Sequence, residues 1–312
     1  MKPRLVHLLA IGILAAAVSC NPGEPASTDS WSRAADMPSA RSEMPAVVLE
    51  DKIYVPGGFG GERRLEVYDP ASESWTILPD LPEPRHHLMA APVGGQLFIF
   101  GGAPSTFNWT AQAEVWSYDP ESRQWQGRHE MPEPRNAGAA VFLDGFVYII
   151  GGTGGTQALL RYDPQADSWS THASLTQARE HLAAVAFQGE IYAIAGRWGD
   201  QGELSSVEIY DPQSDEWRAG PSIEIARAGF AAVVFGDAIF ILGGEVLSGR
   251  NQTLESLERY SPVTGVWTQE EPLPTPLHGV PAGVVGDSLY VLGGSEQAGS
   301  IQNRGFVFVF RP

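Results

Sequence analysis

Residues 147–179 read VYIIGGTGGTQALLRYDPQADSWSTHASLTQAR, and four landmarks in this stretch decide the fold. An apolar run, Val147–Ile150, stops at the doublet Gly151-Gly152. Tyr162-Asp163-Pro164 follows, then Trp169 seven residues after the tyrosine and Arg179 ten residues after the tryptophan. The same phrase recurs along the chain. Glycine doublets close apolar strands at Gly57-Gly58, Gly101-Gly102, Gly243-Gly244 and Gly293-Gly294, with Ala195-Gly196 as a variant. Tyr68, Tyr118, Tyr210 and Tyr260 lead to Trp75, Trp125, Trp217 and Trp267 at the same spacing of seven.

Each landmark has a physical role. Asp-Pro opens a tight turn, because proline presets φ and the aspartate bonds the backbone ahead. Glycine after a strand permits positive φ and close backbone approach. Tyrosine and tryptophan bring large apolar area with a polar tip, suited to packing sheet on sheet. The 35 glycines and 24 prolines fit many short strands joined by turns.

These residues closely resemble the kelch repeat, and the resemblance runs from Trp31 to Pro312. It implies an all-β fold, a six-bladed β-propeller with four antiparallel strands per blade. The 282 residues from Trp31 give 47 for each of six units. The Gly-His…Trp-Asp signature of WD repeats is absent. The sixth unit ends at Arg311-Pro312 without a tryptophan, whereas Trp31 precedes Arg41 by the customary ten residues. Trp31–Ala34 is therefore expected as the outer strand of the last blade, closing the ring and removing open sheet edges.

The first thirty residues are a separate matter. Lys2 and Arg4 precede an apolar run, Leu5–Val18, too short to span a bilayer and matching a signal peptide. Ala17-Val18-Ser19-Cys20 resembles the bacterial lipoprotein signal, which implies lipidation of Cys20, and Asn21 after it implies the outer membrane. The expected organisation is a signal peptide over 1–20, a disordered tether over 21–30 and a propeller over 31–312. Cys20 is the single cysteine, so the exported domain is expected to fold without a disulfide. The formal charge of −17 argues against nucleic acid and anionic membrane surfaces as partners, leaving the lipid anchor as the membrane contact.

With strands a to d numbered outward from the axis, d–a and b–c connections share one face. Between the glycine pair and the tyrosine slot the b–c connections hold 9, 15, 9, 13, 15 and 15 residues, whereas c–d turns are constant in five blades. Variable loops on a fixed scaffold mark the d–a/b–c face as the binding candidate.

The repeat also sorts residues. Arg41, Arg85, Arg135, Arg179 and Arg227 fill one slot in five blades, with His278 taken as the counterpart in the sixth. Either they bond loop carbonyls, or they form a ring of positive charge at the channel mouth. The two positions after the arginine differ between blades: Ser42-Glu43, His86-His87, Asn136-Ala137, Glu180-His181, Ala228-Gly229 and Gly279-Val280. After the glycine slot, Arg197-Trp198 replaces a small residue with a cation and a ring. Blades 5 and 6 read as bland at these inner positions.

No metal site or cofactor is expected, since Glu43, His87 and His181 come from blades 1, 2 and 4, and strand alternation sends His86 and His87 opposite ways. Galactose oxidase is a kelch enzyme, but its tyrosine–cysteine crosslink has no counterpart in a chain whose one cysteine is Cys20. Sialic-acid mutarotases are exported kelch proteins, and Arg197, Glu180 and His181 offer a matching cast of anion clamp and acid/base groups. The favoured expectation is a monomeric, non-catalytic propeller binding a protein or glycan of the bacterial envelope. An anionic-sugar enzyme is the alternative.

Overall fold

A strand that ends in two glycines can turn sharply and let another backbone come close. In the computed structural model, which describes residues 30–155 and 157–312, the doublets do both. Gly151 and Gly152 have φ of +61° and +88°, and a Cβ on Gly151 would lie 2.6 Å from the carbonyl oxygen of Arg179 in the next blade. The Gly152 N–H donates to that carbonyl at 2.9 Å, and Gly58, Gly102, Gly196, Gly244 and Gly294 repeat the bond to the following blade. The doublet is thus a point of contact between blades as well as a turn.

Six four-stranded antiparallel sheets result. Blade 1 comprises Val47–Leu49, Lys52–Pro56, Leu65–Asp69 and Ser74–Leu78. Blade 6 comprises Ala282–Val285, Ser288–Leu292, Val307–Phe310 and, from the other end of the chain, Trp31–Arg33. The closing pair is in register as Trp31↔Phe310, Ser32↔Val309 and Arg33↔Phe308. First strands of neighbouring blades pack together all the way round, blade 6 against blade 1. The expected signal peptide, Cys20 and the expected tether as far as residue 29 lie outside the described residues.

Six apolar clusters occupy the six blade-to-blade interfaces. One, for example, joins Val47, Tyr54, Leu65 and Val67 of blade 1 to Leu97, Ile99 and Tyr118 of blade 2. Each tryptophan stacks at a tilt on its own tyrosine, with ring centroids 5.1 Å apart for Tyr68–Trp75 and 4.9 Å for Tyr162–Trp169. Its indole N–H then donates to a carbonyl four residues beyond the previous blade's tryptophan: Trp75 to Ala35, Trp125 to Pro79, Trp169 to His129, Trp217 to Ala173 and Trp267 to Pro221. Trp31 donates to Glu271, four residues beyond Trp267, and stacks on Phe310 at 4.9 Å. It therefore does for blade 6 what every other tryptophan does for its own blade.

Replacing Trp31 by alanine removes a half-buried ring and the bond that ties the two chain ends to blade 5. Stability should fall by about 2–3 kcal/mol, less than the ~3–5 typical of fully buried aromatics. A lowered denaturant midpoint in equilibrium unfolding would record it.

Candidate functional site

Ahead of strand a in blade 1, Glu43 has φ +54° and breaks the extended run. The equivalent residue does so in every blade: His87 (+52°), Ala137 (+53°), His181 (+49°), Gly229 (+60°) and Gly279 (+56°). Left-handed backbone turns each amide toward its neighbour, and the six close a ring of hydrogen bonds across the channel. His87 donates to Glu43 at 2.9 Å, Ala137 to His87, His181 to Ala137, Gly229 to His181, Gly279 to Gly229, and Glu43 to Gly279 at 2.8 Å. The mouth is therefore narrow, and side chains from opposite blades meet there. One potential ligand atom each from Glu43, His87 and His181 lies within 4.8 Å of the others. This corrects the expectation that these three stand apart across the channel.

The residue before each ring position forms an antiparallel bridge to the residue after the glycine pair: Ser42–Phe59, His86–Ala103, Asn136–Thr153, Glu180–Arg197, Ala228–Glu245 and His278–Ser295. Two further corrections follow. His278 belongs with Ser42 and His86, one place beyond the arginine slot, and buried Leu277 fills that slot in blade 6. Blades 5 and 6 are not bland, since they supply Glu245 and His278 to the neck.

A polar chain runs through these positions. The Arg197 guanidinium donates to Glu180 and to Glu245, both at 2.7 Å. The other carboxylate oxygen of Glu180 takes His181 Nδ1. His278 Nδ1 lies 3.4 Å from both Glu43 and Glu245, and His87 Nε2 lies 3.3 Å from Glu43. Burial opposes charge on His278, but Glu43 and Glu245 outweigh it and raise its pKa above the ordinary histidine value. Burial would likewise raise the carboxyl of Glu43, yet His87, His278 and His181 hold it far below the usual range. Burial, only partly offset by Glu43, pushes His87 down to about 4, and His181 is held well below its ordinary value by burial, His87 and Arg197. At neutral pH the neck thus carries ionised Glu43 beside two uncharged imidazoles.

His86 and His87 do not obey strand alternation, because strand a of blade 2 begins only at Met89 and His87 is left-handed. Their Nδ1 atoms lie 2.6 Å apart, and His86 Nε2 reaches the Ser105 carbonyl at 2.9 Å. Phe59 stacks on His86 with centroids 4.2 Å apart, and Trp109 packs 4.6 Å from His87. Asn136 is buried, donating to the Trp109 carbonyl at 2.9 Å and accepting from Thr153. Trp198 is half-buried and closes its own turn, where its amide bonds the Gly202 carbonyl at 3.1 Å.

The five arginines form no ring of charge at the mouth. Arg41, Arg135, Arg179 and Arg227 are wholly buried and Arg85 nearly so. Their guanidiniums turn into the blades, where Arg41 bonds the Gly57 carbonyl at 2.7 Å and Arg135 the Gly151 carbonyl at 2.8 Å. Arg41, Arg179 and Arg227 also pair with Glu66, Glu208 and Glu258, each two residues before the blade's tyrosine. The Glu-x-Tyr pattern is the sequence signal of this pairing. In blade 2 Trp116 takes the glutamate's place, and Arg85 lies 5.0 Å above its ring.

A closed ring of kelch-type blades with a polar neck defines the class, and the comparisons agree with it. The family model described as Attractin/LZTR1 beta-propeller matches residues 105–309, about two thirds of the chain, and that of the KLHDC2/KLHL20/DRC7 Kelch-repeats domain matches 25–176. The chain belongs to the kelch β-propeller family. Similar proteins include Beta-scruin of Limulus polyphemus, 42% identical over 26% of this chain and 9% of that protein. Kelch-like protein 35 of Mus musculus is 38% identical over 24% of this chain and 14% of its own length. The matched segments thus cover only a small part of these relatives. Among solved structures, "Structure of YjhT" superposes with a TM-score of 0.78 at 17% identity, covering 87% of this chain and 95% of that one, a likeness of fold.

Arg179→Ala leaves Glu208 buried without its cation. The expected loss is about 3–5 kcal/mol, seen as a lower melting temperature in calorimetry.

Proposed function

We propose that this protein is a lipid-anchored kelch propeller of the bacterial envelope that holds a protein ligand on its d–a/b–c face. One observation carries the reading. Around that face the b–c connections expose large apolar side chains: Phe107 is 98% exposed, Ile301 53%, Trp109 48% and Leu247 36%. Apolar groups standing in water around a polar centre suit a partner that covers them, and such a rim with fixed polar groups inside is the usual anatomy of a recognition surface. A glycan is the second reading, supported by the exposed ring of Trp109, which is backed by the buried rings of Phe59 and His86 at 5.8 and 4.9 Å.

Convergence of Arg197, Glu180 and His181 favours the anionic-sugar enzyme. Against it, Arg197 is already bonded to two carboxylates, and Glu43, Glu180 and Glu245 make the neck acidic. An anionic sugar would have to displace those pairs.

A photo-crosslinking residue at Trp109 should capture one protein in intact cells, while the same residue at Val263, on the opposite c–d side, should not. Failure at both positions, with sialic-acid anomer exchange accelerated in NMR and abolished by Glu180→Ala, would replace the binding reading with the enzyme. Anchoring is tested separately. Cys20→Ser should move the protein from the membrane pellet to the soluble fraction, and retention in the pellet would remove the lipid from the proposal.

A further inference from the structure

The hydrogen bonds behind the neck histidines fix where their lone pairs fall. His86 Nε2 contacts the Ser105 carbonyl, which can only accept, so the proton sits on Nε2 and the Nδ1 of a neutral His86 is an acceptor. His87 Nδ1, 2.6 Å away, must then donate, which leaves His87 Nε2 without a proton. That bare nitrogen faces a carboxylate oxygen of Glu43 at 3.3 Å, acceptor against acceptor. His181 is set up alike. Its Nδ1–H is taken by Glu180, itself held by Arg197, so its free lone pair is on Nε2. Acceptors converging on one another call for a positive centre between them. His278 Nδ1 faces the other oxygen of Glu43 at 3.4 Å, so it leaves the oxygen turned toward His87 unoccupied.

We propose that Glu43, His87 and His181 hold a divalent first-row transition-metal ion at the neck of the channel. Two imidazoles and one carboxylate are a donor set suited to zinc or ferrous iron, with positions left open for water or a ligand. Donors around such an ion stand about 3–3.5 Å apart when the bonds are about 2.0–2.2 Å. Glu43 and His87 already meet this, and the 4.8 Å limit on the set leaves His181 about 1 Å to move in. The remaining ring positions, Ala137, Gly229 and Gly279, carry no group that could complete the shell. Below the ring lies a cavity of about 200 Å³, bordered by small residues such as Ala90, Ala140 and Ala184, where the open positions would point. His86 and Glu180 act as positioning residues, each orienting the imidazole that binds.

The site stands independently of the face's ligand, so its test needs none. The full chain, stripped with a chelator, is titrated with Zn²⁺ by calorimetry and with Co²⁺ by visible absorption. One ion per chain is expected, with a rise in melting temperature on loading. His87→Asn and His181→Asn should each weaken binding at least about 100-fold, and Glu180→Gln about 10- to 100-fold. Asparagine keeps the left-handed backbone of the ring tolerable, and Glu180→Gln lies outside the ring altogether, so at least one variant keeps its fold. His172→Asn, on an outer strand, should change nothing. Absence of binding by the unaltered chain would overturn the site, as would affinities within threefold of it in folded variants.

Discussion

Six backbone hydrogen bonds, each from a left-handed residue of one blade to the equivalent residue of the blade before it, hold the inner end of this propeller. The ring from Glu43 through Gly279 and back constrains everything around it. It sets where strand a can begin, fixes the neck's width and turns side chains from distant blades toward one another. Left-handed backbone disfavours most residues by about 1–2 kcal/mol. Glycine fills two of the six ring positions, whereas Glu43, His87, Ala137 and His181 bear that conformational cost.

The outer layers solve a different problem, that of joining sheets which share no edge. Apolar clusters give bulk adhesion, and two directional contacts set the pitch from blade to blade: the indole N–H reaching back one blade, and the glycine amide reaching forward one. The arginines work inside the blades. Removing a guanidinium from water is expensive, and here the cost is offset by backbone carbonyls and, in three blades, by a buried glutamate two places before the tyrosine. Blade 2 puts a tryptophan face at that position and meets Arg85 with Glu114 instead at 3.3 Å, and blade 6 abandons the device for Leu277. Since both sheets still form, the ion pair is one of several ways to fill that space.

Much of this was legible from spacing. The intervals of seven and ten residues gave the six blades, the four strands and the closure through Trp31, because each interval is set by the rise of a strand and the length of a turn. Where residue identity was allowed to outrank spacing, the reading slipped. Ten residues after Trp267 stands Leu277, so spacing gives the arginine slot of blade 6 to an apolar residue, whereas matching by polarity picks His278 and shifts the blade by one. The neck was illegible for another reason. Alternation assumes an extended chain, and nothing in Arg-His-His-Leu announces that the second histidine is left-handed, although the glycines at the matching positions of blades 5 and 6 hinted at it. Side chains that meet across a ring are also far apart in sequence, so their convergence becomes visible only when all six blades are present.

The closing bond of the ring has a consequence for the order in which the molecule becomes competent. Glu43, near the start of the first blade, donates to Gly279, which the chain delivers 236 residues later. Trp31 waits longer still for Phe310. A chain lacking its last blade could build five sheets, but Glu43 would lack both His278 and the acceptor of its amide. The neck therefore serves as a completeness check on the fold: Glu43 finds His278 and the acceptor of its amide only in a chain that has been finished and closed.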